Sequence, residues 1–329
     1  MMRVDRDVLV IDAAAVTDAI LQALFASTRQ LKRRGLIVGA SGGVDSSVCL
    51  ALAAQSLGAD RVLAVLMPEW ESDDESTIRA RDLCEDLGVE YIIEHIGPTL
   101  EALGCYRRRD EAIRAVFPEY GDAYRQKIGI AGGFLDRDVV PHFNLTIESP
   151  TGERQTARMP ATVFAEVTAA TNMKQRTRKM VEYLHAESRN FAVVGTPNRL
   201  EYVLGFFVRG GDGLADVKPI VHLFKTQVYQ LAEHLDIPLT IRTQAPTTDT
   251  YSLAQTQDEF YFGLPYEQMD LCLWAWERAA PAASTASAVG LRRDQVERVY
   301  RDIEGKRRTA VRSLADALLV EPIDLSGTQ

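Results

Sequence analysis

Residues 36–47 read LIVGASGGVDSS. The apolar LIVGA has the character of a short buried strand, and SGGVDSS puts small residues where the chain must turn tightly. DSSVCLALAAQSLG then continues as a helix that closes at Gly58. A strand, a glycine-rich turn and a helix N-terminus together make an anion site, because several backbone N–H groups and the helix dipole converge there. The hydroxyls of Ser41, Ser46 and Ser47 add donors. The loop carries no Lys, so it fits poorly as a grip on the β and γ phosphates of ATP during γ-phosphoryl transfer. It suits a reaction in which pyrophosphate leaves while the α-phosphate is attacked. Asp45 repels phosphate directly, and its useful role is to hold a hard cation such as Mg²⁺. The bland alternative is a turn with Asp45 as a first-turn acid. The strand before, the helix after and the intact SGGxDS string favour the anion site.

Outward from this stretch the pattern repeats. Residues 12–34 form an amphipathic helix ended by Gly35, with Val16, Ile20, Ala23, Leu24 and Leu31 at helical spacing. RVLAVLMP is a second strand, SDDESTIRARDLCEDLG a helix and VEYIIEHI a third strand. Strands alternating with helices predict an α/β fold, a doubly wound and mainly parallel sheet with ligands beyond the carboxyl ends of its strands. Residues 97–165 break the rhythm and read as an insertion or lid, with a helix or two and a β-hairpin turning at 150–153. A helix at 166–188, the strand FAVVGT and the helix KTQVYQLAEHLD restore it. The expected organisation is an α/β domain from 1–96 and 166–265, the insertion at 97–165 and a helical segment at 266–329.

The chain has 329 residues and a formal net charge of −9, which argues against a general DNA or RNA binder. Cys49, Cys84, Cys105 and Cys272 lack metal-ligand spacing and read as free thiols of a reducing cytoplasm. No membrane span or signal peptide is expected.

The loop resembles the signature of the N-type ATP pyrophosphatases, whose fold is that of the adenine nucleotide alpha hydrolases. Further blocks resemble the NAD synthetase family. They are NMKQR at 172–176, GTPNRLEYVLGFFVRGGDGLAD at 195–216, the Lys-initiated helix at Lys225 and the run from QAPTTD to LPY at 244–266. The resemblance implies an ATP-dependent amide ligase. A carboxylate, that of nicotinic acid adenine dinucleotide, attacks the α-phosphate, pyrophosphate leaves, and ammonia then displaces AMP. The alternative is the same chemistry on another carboxylic acid, and a remote one is a non-catalytic nucleotide-binding protein.

By the same resemblance, Ala40, Ser41, Gly42, Gly43, Val44, Asp45, Ser46, Ser47, Met67, Thr196, Lys225 and Thr247 contact ATP. Asp45, Lys225 and Thr247 serve catalysis, and Asp45 with Glu201 holds Mg²⁺. Arg176, Arg209, Asp212, Asp216, Lys306 and Arg307 contact the acid. Arg209 stands where the family usually has Lys, and Gly305 where it has His. A cation at the start of a helix opposes the dipole, so a bound phosphate would account for Lys225. The family implies a homodimer, and free ammonia or a separate glutaminase as nitrogen source.

Overall fold

The computed structural model describes residues 4–130, 135, 142–245, 251–253, 255–321 and 323. Four parallel strands lie in the order β3-β2-β1-β7: β1 (Gly35–Gly39), β2 (Val62–Leu66), β3 (Glu90–Ile93) and β7 (Phe191–Val194). Val38 registers with Ala64 on one side and Val194 on the other. Each strand is too short and too apolar to stand alone, and the inner ones are buried on both faces. On one face α1 (Ala13–Gln30), α2 (Val44–Leu57) and α3 (Asp74–Asp86) pack through Leu24, Leu50, Leu52 and Leu83. The opposite face is covered by α4 (Gly97–Ala102), α5 (Cys105–Arg114) and the long α6 (Ala161–Arg189), around Ile37, Val65 and Leu100.

The chain runs outward from β1 to β2 and β3, then returns to place β7 on the other side of β1. The order therefore reverses between β1 and β7. This is the crevice where open α/β sheets bind ligands.

Between α5 and α6 lies a separate antiparallel sheet of β4 (Arg125–Ile130), β5 (Phe143–Glu148) and β6 (Arg154–Arg158). The expected hairpin is present, with Ser149 N–H donating to Glu153 O and Gly152 N–H to Ser149 O. The extra strand β4 was not expected. Its inward Ile128 meets Leu145 and Ile147 over Ile113 of α5 and Val167 of α6. After β7 come α7 (Arg199–Leu204), α8 (Lys225–His234), α9 (Leu239–Arg242), α10 (Tyr266–Glu277), α11 (Ala282–Val289) and α12 (Arg293–Leu314). The last three pack with α7 around Leu200, Leu204, Met269 and Val299.

Three boundaries differ from the sequence reading. Helix α1 ends at Gln30, Lys32 turns in the left-handed region, and Gly35 opens β1 instead of ending the helix. A Cβ at Gly35 would lie 2.3 Å from Arg61 O, so the strand edge needs the glycine. Helix α6 starts five residues early, at Ala161 behind Pro160, a residue suited to helix starts because it has no N–H to leave unpaired. The segment Arg6–Gln30 also contains an 18-residue window apolar enough, by length and composition, to cross a membrane, which the sequence reading did not anticipate. Here one face of α1, with Thr17, Ile20, Leu24 and Thr28, is buried against the sheet layer, and 22% of that window is buried in all. The four cysteines are free and buried.

Candidate active site

Helix α2 begins at the carboxyl end of β1. Its N-cap is Gly43, and its first intrahelical bond runs from Ser47 N–H to Gly43 O at 3.1 Å. The N–H groups of Val44, Asp45 and Ser46 precede that bond and point out of the helix start. Gly42 has φ +76°, and a Cβ there would sit 2.2 Å from Ser76 O, so only glycine lets the loop lie against α3. The loop hydroxyls are engaged internally. Ser46 and Ser47 donate to Gly43 O at 3.0 and 2.9 Å, and Ser41 lies 3.0 Å from Ser46. They shape the turn and also accept from the N–H groups of Ser41 and Gly43, which leaves those of Val44, Asp45 and Ser46 as its anion donors.

Above the helix start, three distant parts of the chain converge. Lys225, the first residue of α8, pairs with Asp45 of α2. Asn198, the N-cap of α7, donates from Nδ2 to Asp45 Oδ1 at 3.2 Å. The same Asn198 forms a capping box with Glu201: its Oδ1 accepts from Glu201 N–H, and its own N–H donates to Glu201 Oε2, both at 3.1 Å. The short PNRLE stretch thus fixes one carboxylate by a local motif and reaches a second across the sheet. Lys225 at a helix start, unexplained by the dipole, is explained here by Asp45.

The electrostatics are under tension. Burial and the neighbouring Asp45 push the Glu201 carboxyl up to about 8, with Lys225 opposing. Burial works against the charged form of Lys225, but Asp45 and Glu201 outweigh it and hold its ammonium above its usual range. The raised Glu201 sets a pH dependence. In the window from about 4.5 to about 8 the folded chain keeps a proton that the unfolded chain has released, so folding stability falls as pH rises through it. Glu201→Gln is therefore expected to flatten the loss of ligand-free melting temperature between pH 5 and pH 8.5. An undiminished loss would place the carboxyl at an ordinary value.

These residues open onto a cavity of about 730 Å³. Ser41, Asp45, Thr196, Glu201, Asp212 and Lys225 line its polar end. The other end is aromatic, with Phe143 and Phe164 stacked at 4.4 Å and Phe206, Phe260 and Tyr261 beyond. A second cavity of about 220 Å³ adjoins it behind the strand ends and is reached by Ala40, Met67 and Thr196. Thr196 lines both cavities, and it is Asn198, not Thr196, that caps α7. Glu201 is 9% exposed and so is no solvated helix acid. Thr247 lies outside the described residues.

The residues expected to bind the acid do not gather in one place. Asp212 lines the large cavity and is half-buried, accepting from Val208 N–H at 2.7 Å. Arg176 is exposed on α6, donating to Arg209 O at 3.2 Å, while Arg209 donates to Ala315 O at 3.1 Å. Asp216 accepts from Val193 N–H at 2.8 Å and from the Tyr183 hydroxyl at 3.3 Å. Lys306 pairs with Asp302 and donates to Tyr261 O, and Arg307 lies over Trp276. Except for Asp212, none of these six lines the chain's own large cavity.

Sequence reasoning passed over a buried charge cluster beside the site. Lys174, 0% exposed, donates to Glu69 at 2.7 Å and to Glu71 at 2.6 Å. Arg109 of α5 also holds Glu71, and the Tyr106 hydroxyl donates to Glu69 at 2.6 Å. Burial alone would raise the Glu69 carboxyl, but Lys174 and Tyr106 keep it below its usual value. The cluster ties the segment after β2 to α5 and α6. Its signal was available in NMKQR, where Lys174 shares the buried face of α6 with Thr171 and Thr177.

Comparison with known proteins bears on the family and the fold. The family described as NAD synthase matches residues 16–116 and 144–310. The chain belongs to the NAD synthase family. The NH(3)-dependent NAD(+) synthetase of Rhizobium meliloti strain 1021 is 51% identical over 318 residues, covering 97% of this chain and 95% of the relative. That of Rhizobium rhizogenes strain K84 is 52% identical over 319 residues, covering 96% of each. Among solved structures, NMN synthetase from Francisella tularensis superposes with a TM-score of 0.64 at 21% identity, covering 94% of this chain and 99% of that one. The NH3-dependent NAD synthetase from Campylobacter jejuni gives 0.62 at 19% identity, covering 94% and 100%. These two likenesses speak for the fold, and the NAD synthase fold is the doubly wound sheet described above.

Among the described residues no three His, Cys, Asp or Glu side chains come together as a metal cage. Asp45 and Glu201 are a pair only. Their mutual repulsion and the hardness of their oxygens suit a cation that shares its remaining positions with phosphate oxygens and water, which is the habit of Mg²⁺.

Proposed function

We propose that the chain makes NAD from nicotinic acid adenine dinucleotide, ATP and ammonia. The observation that carries the proposal is the convergence of Asp45, Lys225 and Glu201 over the free N–H groups of α2, at the reversal point of the sheet. The relatives at about half identity carry the name of this activity. ATP lays its phosphates on residues 41–46, with Lys225 neutralising the charge that builds on the leaving pyrophosphate. Asp45 and Glu201 would hold Mg²⁺, which when bound would supply charge neutralisation at the phosphates. The substrate carboxylate attacks the α-phosphorus, a P–O bond forms, and the bond to pyrophosphate breaks. Ammonia then attacks the acyl carbon, AMP leaves with the acyl C–O electron pair, and a proton goes to solvent. The chain contributes mainly position and charge. Free ammonia serves as nitrogen source, and the cytoplasm is the proposed location.

The test is isotope exchange. With ammonia omitted, labelled pyrophosphate is expected to enter ATP only when nicotinic acid adenine dinucleotide is present. Exchange that ignores the acid would contradict adenylation of that acid.

We further propose a homodimer built on α6. Arg176, Met180, Tyr183 and Leu184 share one helical face, and Met180 and Leu184 are exposed at 59% and 61%. Arg176, Arg209 and Asp216 lie around this face and outside their own cavity, positions from which they serve the cavity of a second copy. Met180→Glu with Leu184→Glu is expected to give a folded monomer by light scattering, with the KM for the acid raised at least tenfold. A dimer unchanged by both charges would move the interface elsewhere.

A further inference from the structure

The smaller cavity holds a feature that the phosphate chemistry does not use. Lys179 and Glu182 of α6 form an ion pair, Nζ to Oε2 at 2.6 Å, with both side chains more than nine-tenths buried. Both line the cavity, opposite Leu66, Met67 and Val194. Only Oε2 of Glu182 is engaged by Lys179, and among the described residues Oε1 has no hydrogen bond. The backbone is shaped around that oxygen: a Cβ at Gly39, the last residue of β1, would lie 2.7 Å from it. A buried ion pair is a poor device for stability alone, since well-packed apolar residues of the same size serve as well or better. Here one carboxylate oxygen is left to a cavity that joins the phosphate loop through Ser41 and Thr196.

We propose that Glu182 is a substrate-recognition residue for the adenosine half of ATP, accepting a hydrogen bond through Oε1 from the exocyclic amine of the base or a ribose hydroxyl. Lys179 is its positioning residue. It orients the carboxylate through the bond to Oε2, and burial raises the Glu182 carboxyl above its usual value while Lys179 and Arg178 oppose that rise. Leu66, Met67, Pro68 and Val194 give this otherwise polar cavity one apolar side for a base, and Ser41 and Thr196 join it to the phosphate loop. This inference rests on ATP being the substrate of the large cavity.

The first arm of the test uses the unaltered protein and follows pyrophosphate release with ATP, inosine triphosphate, 2′-deoxy-ATP and 3′-deoxy-ATP. The analogue lacking the donor that Glu182 reads is expected to lose about 10- to 100-fold in kcat/KM, the range for a hydrogen bond to a charged partner. The second arm uses Glu182→Gln, and Lys179→Met with Glu182→Gln, the latter leaving no unpaired buried ammonium. Both are expected to raise the KM for ATP at least tenfold with kcat little changed, and to erase the discrimination against that one analogue. Equal use of all four nucleotides by the unaltered protein overturns the proposal without any variant. So do folded variants that keep the ATP KM and the discrimination, which would make the pair purely structural. Failure of the unaltered protein to release pyrophosphate from ATP with any acid would instead count against the function proposed above.

Discussion

Asp45→Asn is expected to lower adenylation by about 10³-fold or more while the chain still folds. Asp45 sits at the second position of α2, against the N–H groups proposed to receive phosphate. A carboxylate there is useful only with cations around it. Lys225 is one, and the proposed Mg²⁺ is the other. The amide keeps the shape and can still accept from Asn198, but it loses the charge that both cations need. Folding survives because Lys225 retains the second carboxylate, Glu201, whose own pKa falls once Asp45 no longer repels it. The expected loss of stability is about 1–3 kcal/mol, below the cost of a buried charge left with no partner at all. Pyrophosphate release and circular dichroism check both halves. A rate within tenfold of the unaltered protein would remove Asp45 from the reacting centre.

Lys225→Met is expected to reduce kcat by about 10²- to 10³-fold, with a smaller change in the KM for ATP. The ammonium is 1% exposed and faces two carboxylates at the phosphate end of the cavity. Charge on the pyrophosphate oxygens grows as the α-phosphate bond breaks, so a fixed buried cation helps the transition state more than the ground state. Removing it also leaves Asp45 and Glu201 without their shared cation, which drives the Glu201 carboxyl higher still. Lys225→Arg is not expected to rescue, because a planar fork does not fit a pocket closed around a point charge. A KM effect with kcat intact would make Lys225 a ground-state anchor instead.

The sheet was legible because its evidence is local. LIVGA, RVLAVL and FAVVGT are apolar on both faces, and each is followed by a helix start, which leaves few arrangements besides a parallel sheet. The loop at 41–47 was legible for the same reason. Strand β4 was not, because RQKIGI alternates weakly and takes its partner, β5, from beyond a long separation in sequence. The convergence of Asp45, Asn198 and Lys225 spans more than 150 residues, and no local pattern states it. Asn198 could have been found as a capping box, N-x-x-E, since that motif carries its own geometry. The ion pairs of α6 were hidden by a habit of reading Lys and Glu on a helix as solvated. Placing Lys174, Lys179 and Glu182 on the helical wheel with Val167 and Ala170 puts all of them on the buried side. The six expected substrate residues were read as one set because their spacing in sequence does not say that only Asp212 lines the large cavity.

The most direct measurement is product formation by the purified protein with Mg-ATP, ammonium and nicotinic acid adenine dinucleotide. Pyrophosphate, AMP and NAD in equal amounts, with none of them formed when the dinucleotide is withheld, is the expected result. Pyrophosphate released without NAD, or NAD absent while ATP still binds, would contradict the proposed reaction.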